Sequence, residues 1–223
     1  MIEIKKGKEP AKLLAYRKRI GSSYEQMDSD VKADLMRSLL EEQGHLCAYC
    51  MRKIPEKRKL PYGVPTVTIE HWIPRNPEDN GAAGKELDYH NMFAVCAGNR
   101  GCGNKEWMTC DARKGNKRIK VNPCDVNTLI GISYTSNGII ISDNQEINED
   151  INEKLNLNCS SVSLPENRKN VLQTFIEDVS KKCGDGDISS YCEKKLKEFR
   201  AKNDPQVPFV GIIIWWLEKH IKN

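Results

Sequence analysis

Apolar positions recur along the chain in two rhythms. Over residues 28–43, Val31, Leu35, Met36, Leu39 and Leu40 return at three- and four-residue steps and Gly44 follows, which predicts a helix that delivers the chain into Cys47. Upstream, Leu13 and Leu14 with the basic run Arg17-Lys18-Arg19 predict a shorter helix over residues 10–20. The rhythm then shortens. Val67-Thr68-Ile69 is β-branched and ends at Glu70-His71, so that pair is expected at the end of a short strand. Asn91-Met92-Phe93-Ala94-Val95 reads as the return strand leading into Cys96. Residues 76–84, rich in turn formers, read as the connecting loop, and residues 52–65, with three prolines and five basic residues, as the loop before it. Residues 111–114 predict a short polar helix closed by Gly115.

Beyond this point the pattern changes. Residues 129–142 predict a hairpin around Asn137-Gly138, with Ile132, Tyr134 and Ile139-Ile140-Ile141 as strand positions. Residues 168–183 and 188–202 predict two amphipathic helices and residues 209–221 a third. The third is apolar around much of its circumference, Trp215 and Trp216 included, so it is expected to be buried in this chain or against a partner. No internal repeat or low-complexity tract interrupts these patterns. The expected fold class is α+β: an N-terminal helical segment (1–44), a central strand-loop-strand-helix unit (45–122) and a C-terminal hairpin and helices (123–223) that could dock a partner.

Composition narrows the setting. The apolar stretch 207–217 is about half the roughly 20 residues that span a bilayer, and the first residues lack the apolar core of a secretory leader, so no membrane role is expected. Nine cysteines without such a leader suit a reducing, cytoplasmic setting in which thiols bind metal or pack. The net charge of +4 is mild but unevenly spread: over residues 45–122, Lys and Arg outnumber Asp and Glu by 14 to 8, and the remainder is slightly acidic. A basic excess around the central unit suits a polyanionic substrate.

The candidate chemistry lies in that unit. Cys47 and Cys50 form a CxxC knuckle, and tetrahedral zinc needs two more thiolates from Cys96, Cys102 and Cys110, a choice that spacing leaves open. By itself the Glu70-His71 dipeptide means little. Placed between cysteine clusters at a strand end, it offers an imidazole that can accept a proton from water and a carboxylate that can reach a cation.

Four blocks in order, Glu42-Gln43-Gly44-His45-Leu46-Cys47-Ala48-Tyr49-Cys50, Ile69-Glu70-His71-Trp72-Ile73-Pro74-Arg75, Leu87-Asp88-Tyr89-His90-Asn91-Met92 and Thr109-Cys110-Asp111-Ala112-Arg113-Lys114-Gly115-Asn116, resemble the HNH endonucleases with a ββα-metal core. Among these the chain looks most like the nuclease subunit of Septu-type and retron-associated anti-phage systems. The resemblance covers residues 27–123 well and the rest more loosely. It implies His71 as general base, Glu70 as ligand of a catalytic Mg²⁺ or Mn²⁺, and Asn91 as the asparagine that orients the base. Asp111 would be the second ligand of that ion, at a position where relatives often carry histidine or asparagine, with Asn104 as the other candidate. Cys47, Cys50, Cys96 and Cys110 would hold structural Zn²⁺, and Arg113 and Lys114 would face the phosphate. His90, His45 and His220 are expected to be structural or solvated.

The resemblance further implies metal-assisted hydrolysis of DNA phosphodiester bonds, an ABC/SMC-like ATPase partner and, in retron versions, a reverse transcriptase with its DNA-RNA product. An RNA-directed nuclease and a non-catalytic zinc-knuckle module that binds nucleic acid or a partner are the rival expectations. If zinc is structural and Glu70 purely functional, replacing Cys47 or Cys50 should unfold the unit, whereas Glu70→Ala should leave the fold intact.

Overall fold

A computed structural model of the protein describes residues 1–55, 65–183, 187–201 and 206–221. Most of the expected loop over 52–65 and the last residue of the expected helix 188–202 lie outside the described residues. The chain folds as helices around two small antiparallel sheets, the mixed class expected from the sequence.

Helix α1 (Ala11–Tyr16) and helix α2 (Ser29–Glu42) form the N-terminal layer. The apolar face read from the sequence is the buried one, with Leu35 and Leu39 fully enclosed. At the end of α2, Gln43 does something the periodicity does not announce. Its amide donates to the carbonyls of Leu46 (2.9 Å) and Ala94 (2.7 Å) and accepts from the Ala94 amide (2.8 Å). It therefore satisfies the buried Ala94 amide on the free edge of the central sheet and shares the Ala94 carbonyl with the Ala48 amide.

That sheet consists of β1 (Val67–His71) and β2 (Met92–Cys96), paired so that Val67 faces Cys96 and His71 faces Met92. The return strand begins one residue later than the sequence suggests. Asn91 belongs to a 3-10 turn, Tyr89–Asn91, because the Asp88 side chain accepts from the His90 amide and the Asp88 carbonyl from the Asn91 amide. His90, expected to be structural, is exposed and sits in this turn. Helix α3 (Cys110–Lys114) then packs against β2.

The C-terminal region differs more from the sequence reading. Leu129 ends a short helix, α4 (Val126–Leu129), capped by Asp125, so the hairpin shrinks to β3 (Ile132–Tyr134) and β4 (Ile140–Ser142). Helix α5 (Gln145–Glu149), begun by an Asn144 cap, runs into a π-helical turn, Asp150–Lys154. The polar run 143–154 hides this element from a periodicity reading, because it buries only Ile147, Asp150 and Ile151. The Asp150 carboxylate, wholly enclosed, accepts from the Lys120 and Val121 amides and pairs with Lys154 at 2.8 Å. Helix α6 (Leu164–Cys183) starts earlier than expected, and α7 (Ile188–Ala201) and α8 (Val210–Lys219) complete the layer.

Buried residues from all three stretches of the chain join one hydrophobic cluster. Helix α8 spends its apolar face inside the molecule: Val210, Ile212, Ile213 and Leu217 are buried, and the Phe209 amide bonds to the Met51 carbonyl, one residue past Cys50. Among the described residues, no helix is long and apolar enough to cross a membrane.

Candidate metal centre and adjoining cleft

The sulfurs of Cys47, Cys50, Cys96 and Cys110 lie within 4.8 Å of one another and all four residues are buried. Neighbouring sulfurs are separated by 3.7 Å (Cys47 to Cys110, Cys50 to Cys96) and 3.8 Å (Cys96 to Cys110). Zn–S bonds of about 2.3 Å in a tetrahedron put sulfurs about 3.8 Å apart, so the four side chains can hold a metal ion such as zinc. Cys102 is exposed, its thiol on the Asn104 carbonyl, and stands apart from the cluster.

Local backbone geometry builds this centre. In the first knuckle the Met51 amide returns to the Cys47 carbonyl and the Cys47 amide bonds to the Arg52 carbonyl. Past β2, Gly98 turns the chain with φ of +57°, and a Cβ there would come 2.1 Å from the Thr109 carbonyl oxygen. Only glycine fits that approach, which brings Thr109 and hence Cys110 back over Cys96. The Cys110 amide in turn bonds to the Leu155 carbonyl, fastening the centre to the C-terminal layer.

Tyr49, between the two knuckle cysteines, links the centre to a neighbouring cleft of about 900 Å³ lined by Glu70, His71, Asp111, Arg75 and Arg100 among others. Its fully buried hydroxyl donates to Glu70 Oε1 at 3.1 Å. The same oxygen receives the ammonium of Lys114 at 2.6 Å, and Lys114 also reaches the His71 carbonyl. Burial, and next the Asp111 carboxylate within hydrogen-bonding reach, push the Glu70 carboxyl up to about 8; Lys114 pulls the other way without prevailing.

His71 lines the same cleft, 6% exposed. Its Nε2 lies 2.9 Å from the Glu86 carbonyl oxygen. A carbonyl only accepts, so Nε2 carries the proton and Nδ1 keeps the lone pair. Burial lowers the imidazole below its ordinary 6.5, which keeps it neutral, and the Tyr24 ring meets it edge-on at 4.7 Å. Asn91 fixes the turn after β1: its side chain accepts from the Ile73 amide (2.8 Å) and donates to the Ile73 carbonyl (3.0 Å). Gly84 packs so closely there that a Cβ would lie 2.3 Å from the Ile73 oxygen and 2.6 Å from Asn91 Nδ2.

The cleft thus brings together Glu70, His71 and Asp111, with Asn91 behind them. Asp111 accepts from Arg100 at 2.6 Å and from Thr68 at 3.4 Å. Asn104 is elsewhere, capping the 3-10 turn Lys105–Trp107. Arg113 is turned to Glu106 and to the carbonyls of Lys105 and Glu153, and Lys114 is enclosed beneath Glu70. Neither is among the residues lining the cleft. Tyr49, Tyr24, Glu86 and Arg100 escape a sequence reading, since nothing in their spacing ties them to Glu70-His71. His45 has left-handed backbone, and His220 stacks on Trp216.

No protein-family model matches the chain, and no curated protein matches it.

Proposed function

We propose that the chain is a divalent-metal-dependent endonuclease of the HNH kind that hydrolyses DNA phosphodiester bonds, with its β1–β2–α3 unit pinned by zinc on the four cysteines. The observation that carries this reading is the juxtaposition of a neutral imidazole, held through Nε2, with two carboxylates in one cleft. Glu70 and Asp111 would hold a hard cation such as Mg²⁺ or Mn²⁺, whose charge would displace the proton that burial and Asp111 favour on Glu70. Bound there, such an ion supplies Lewis acidity at the phosphate.

The chain's own residues do the rest. His71 Nδ1 accepts the proton of a water whose oxygen attacks phosphorus, the bond from phosphorus to the leaving oxygen breaks, and that oxygen is protonated from solvent. Glu86 holds the imidazole through its carbonyl, and Asn91 holds the backbone that follows His71. Lys114 and Tyr49 hold Glu70 through Oε1, and the Asp111 carboxylate faces the same carboxyl group.

The setting in anti-phage defence, with an ABC/SMC-like ATPase and, in a retron system, a reverse transcriptase, rests on the resemblance of the four sequence blocks. A second reading has one observation in its favour. Glu70 and Asp111 are already paired with Lys114 and Arg100, as they would be in a zinc-pinned module that binds nucleic acid without cutting it. Purified protein incubated with plasmid and with tRNA, each with Mg²⁺, Mn²⁺ or EDTA, separates the readings. The proposal expects metal-dependent cutting of the plasmid; binding without cleavage of either substrate supports the module, and cutting of tRNA alone an RNA nuclease.

A further inference from the structure

The two cations expected at the phosphate are spent elsewhere: Arg113 on Glu106 and two carbonyls, Lys114 on the buried Glu70. Three other cations line the cleft, each delivered by a different part of the chain. Lys32 comes from α2, Arg75 from the turn after β1, and Arg100 from the glycine-rich loop after β2.

Their present partners are ones they can leave. Arg100, with its side chain 49% exposed, pairs with Asp111. Arg75 pairs with the exposed Glu25 and stands 4.8 Å over the Tyr24 ring. Lys32 stands 5.2 Å over the same ring and donates to the Glu25 carbonyl at 3.4 Å. The Arg75–Glu25 pair is open to water and therefore weak, and the half-exposed Arg100 can turn from Asp111 to an arriving phosphate, whereas the enclosed Lys114 has no path to one. Guanidinium groups match phosphate oxygens in a two-pronged geometry, and cations spread along a cleft suit an extended polyanion better than a single small anion.

We propose that Lys32, Arg75 and Arg100 form a clamp that seats the phosphodiester backbone of a nucleic-acid strand across Glu70 and His71. The clamp rests on the nuclease reading of this cleft and specifies which side chains grip the substrate. It has a direct signature, because every cation withdrawn from the phosphates lowers the dependence of binding on salt.

Binding of fluorescein-labelled duplex DNA, single-stranded DNA and RNA is measured by anisotropy in EDTA, from about 50 to 200 mM KCl. Lys32→Gln, Arg75→Gln and Arg100→Gln, each melting with the parent, should each reduce the slope of log affinity against log salt by about 0.9 on duplex and about 0.7 on single strands. Lys197→Gln, an exposed charge on α7, which contributes nothing to the cleft, should leave it unchanged. The clamp is overturned if the parent binds none of the three probes, if the cleft variants keep the parent's slope, or if Arg113→Gln lowers it more than Arg100→Gln. Cleavage is scored separately in Mg²⁺. Metal-dependent cutting with unchanged slopes defeats the clamp alone, whereas reduced slopes in a protein that never cuts uphold the clamp and defeat the nuclease reading.

Discussion

Glu70 is held from below by two donors, the Lys114 ammonium and the Tyr49 hydroxyl, neither of which has access to water. Removing the carboxyl leaves the Tyr49 hydroxyl without its acceptor and the Lys114 ammonium with the His71 carbonyl alone, and a buried charged group that loses its ionic partner costs about 3 kcal/mol or more. Glu70→Ala should therefore unfold at clearly lower urea than the parent, against the expectation from sequence that it leaves the fold intact. Lys114→Met in the Glu70→Ala background should recover part of the loss; strictly additive losses in the double variant would contradict a coupled pair. From sequence alone Lys114 is a surface cation on a short helix, because its partner lies 44 positions away. His71 invites a pH test. Burial lowers its pKa below 6.5, so the neutral base is present above that lowered value and lost as pH falls through it. Cleavage at saturating Mn²⁺ should climb from acid pH with a midpoint below 6.5; a rise centred above 6.5 would show that His71 is not the titrating base.

The β1–β2–α3 unit was legible because its signals are local: β-branched runs, turn formers and cysteines at knuckle spacing. Its boundaries were less so. Asn91 left the strand because the Asp88 cap competes for that stretch of backbone, and the Gln43 amide that satisfies the edge of β2 acts across 51 residues. The element from Gln145 through Lys154 was missed because it turns mostly polar residues outward and buries a carboxylate, Asp150, in place of a hydrophobe. The tie between Asn91 and Ile73 is the joint on which the cleft depends. Asn91→Ala forfeits two hydrogen bonds, about 1 kcal/mol each, and Gly84→Ala drives a Cβ into the Ile73 carbonyl, a strain of about 1–3 kcal/mol. Both should speed exchange of the Ile73 amide and slow cleavage; protection equal to the parent's would show that the turn holds without them.

For the molecule as a whole, the four-cysteine centre joins layers that the sequence suggests as separate segments. Cys47 and Cys50 follow α2, Cys96 ends β2, Cys110 begins α3 while bonding to Leu155, and α8 packs beside Met51. A centre so placed should govern global stability. Elemental analysis should find one zinc per chain, and Cys50→Ser or a strong chelator should abolish the cooperative melt, since structural zinc contributes its binding energy to folding. A parent that melts identically with and without chelator would contradict that. Spacing alone could not choose among Cys96, Cys102 and Cys110; the close approach at Gly98 brings Cys110 to the centre, while Cys102 stays outside. The central claim is that the cleft beside this centre cuts phosphodiester bonds through His71. Plasmid cleavage in Mg²⁺ or Mn²⁺ by the parent and by His71→Ala, both folded and zinc-loaded, tests it most directly. The expected result is metal-dependent cutting that falls by about 10²-fold or more in His71→Ala, and cutting by His71→Ala at the parent's rate would contradict the account.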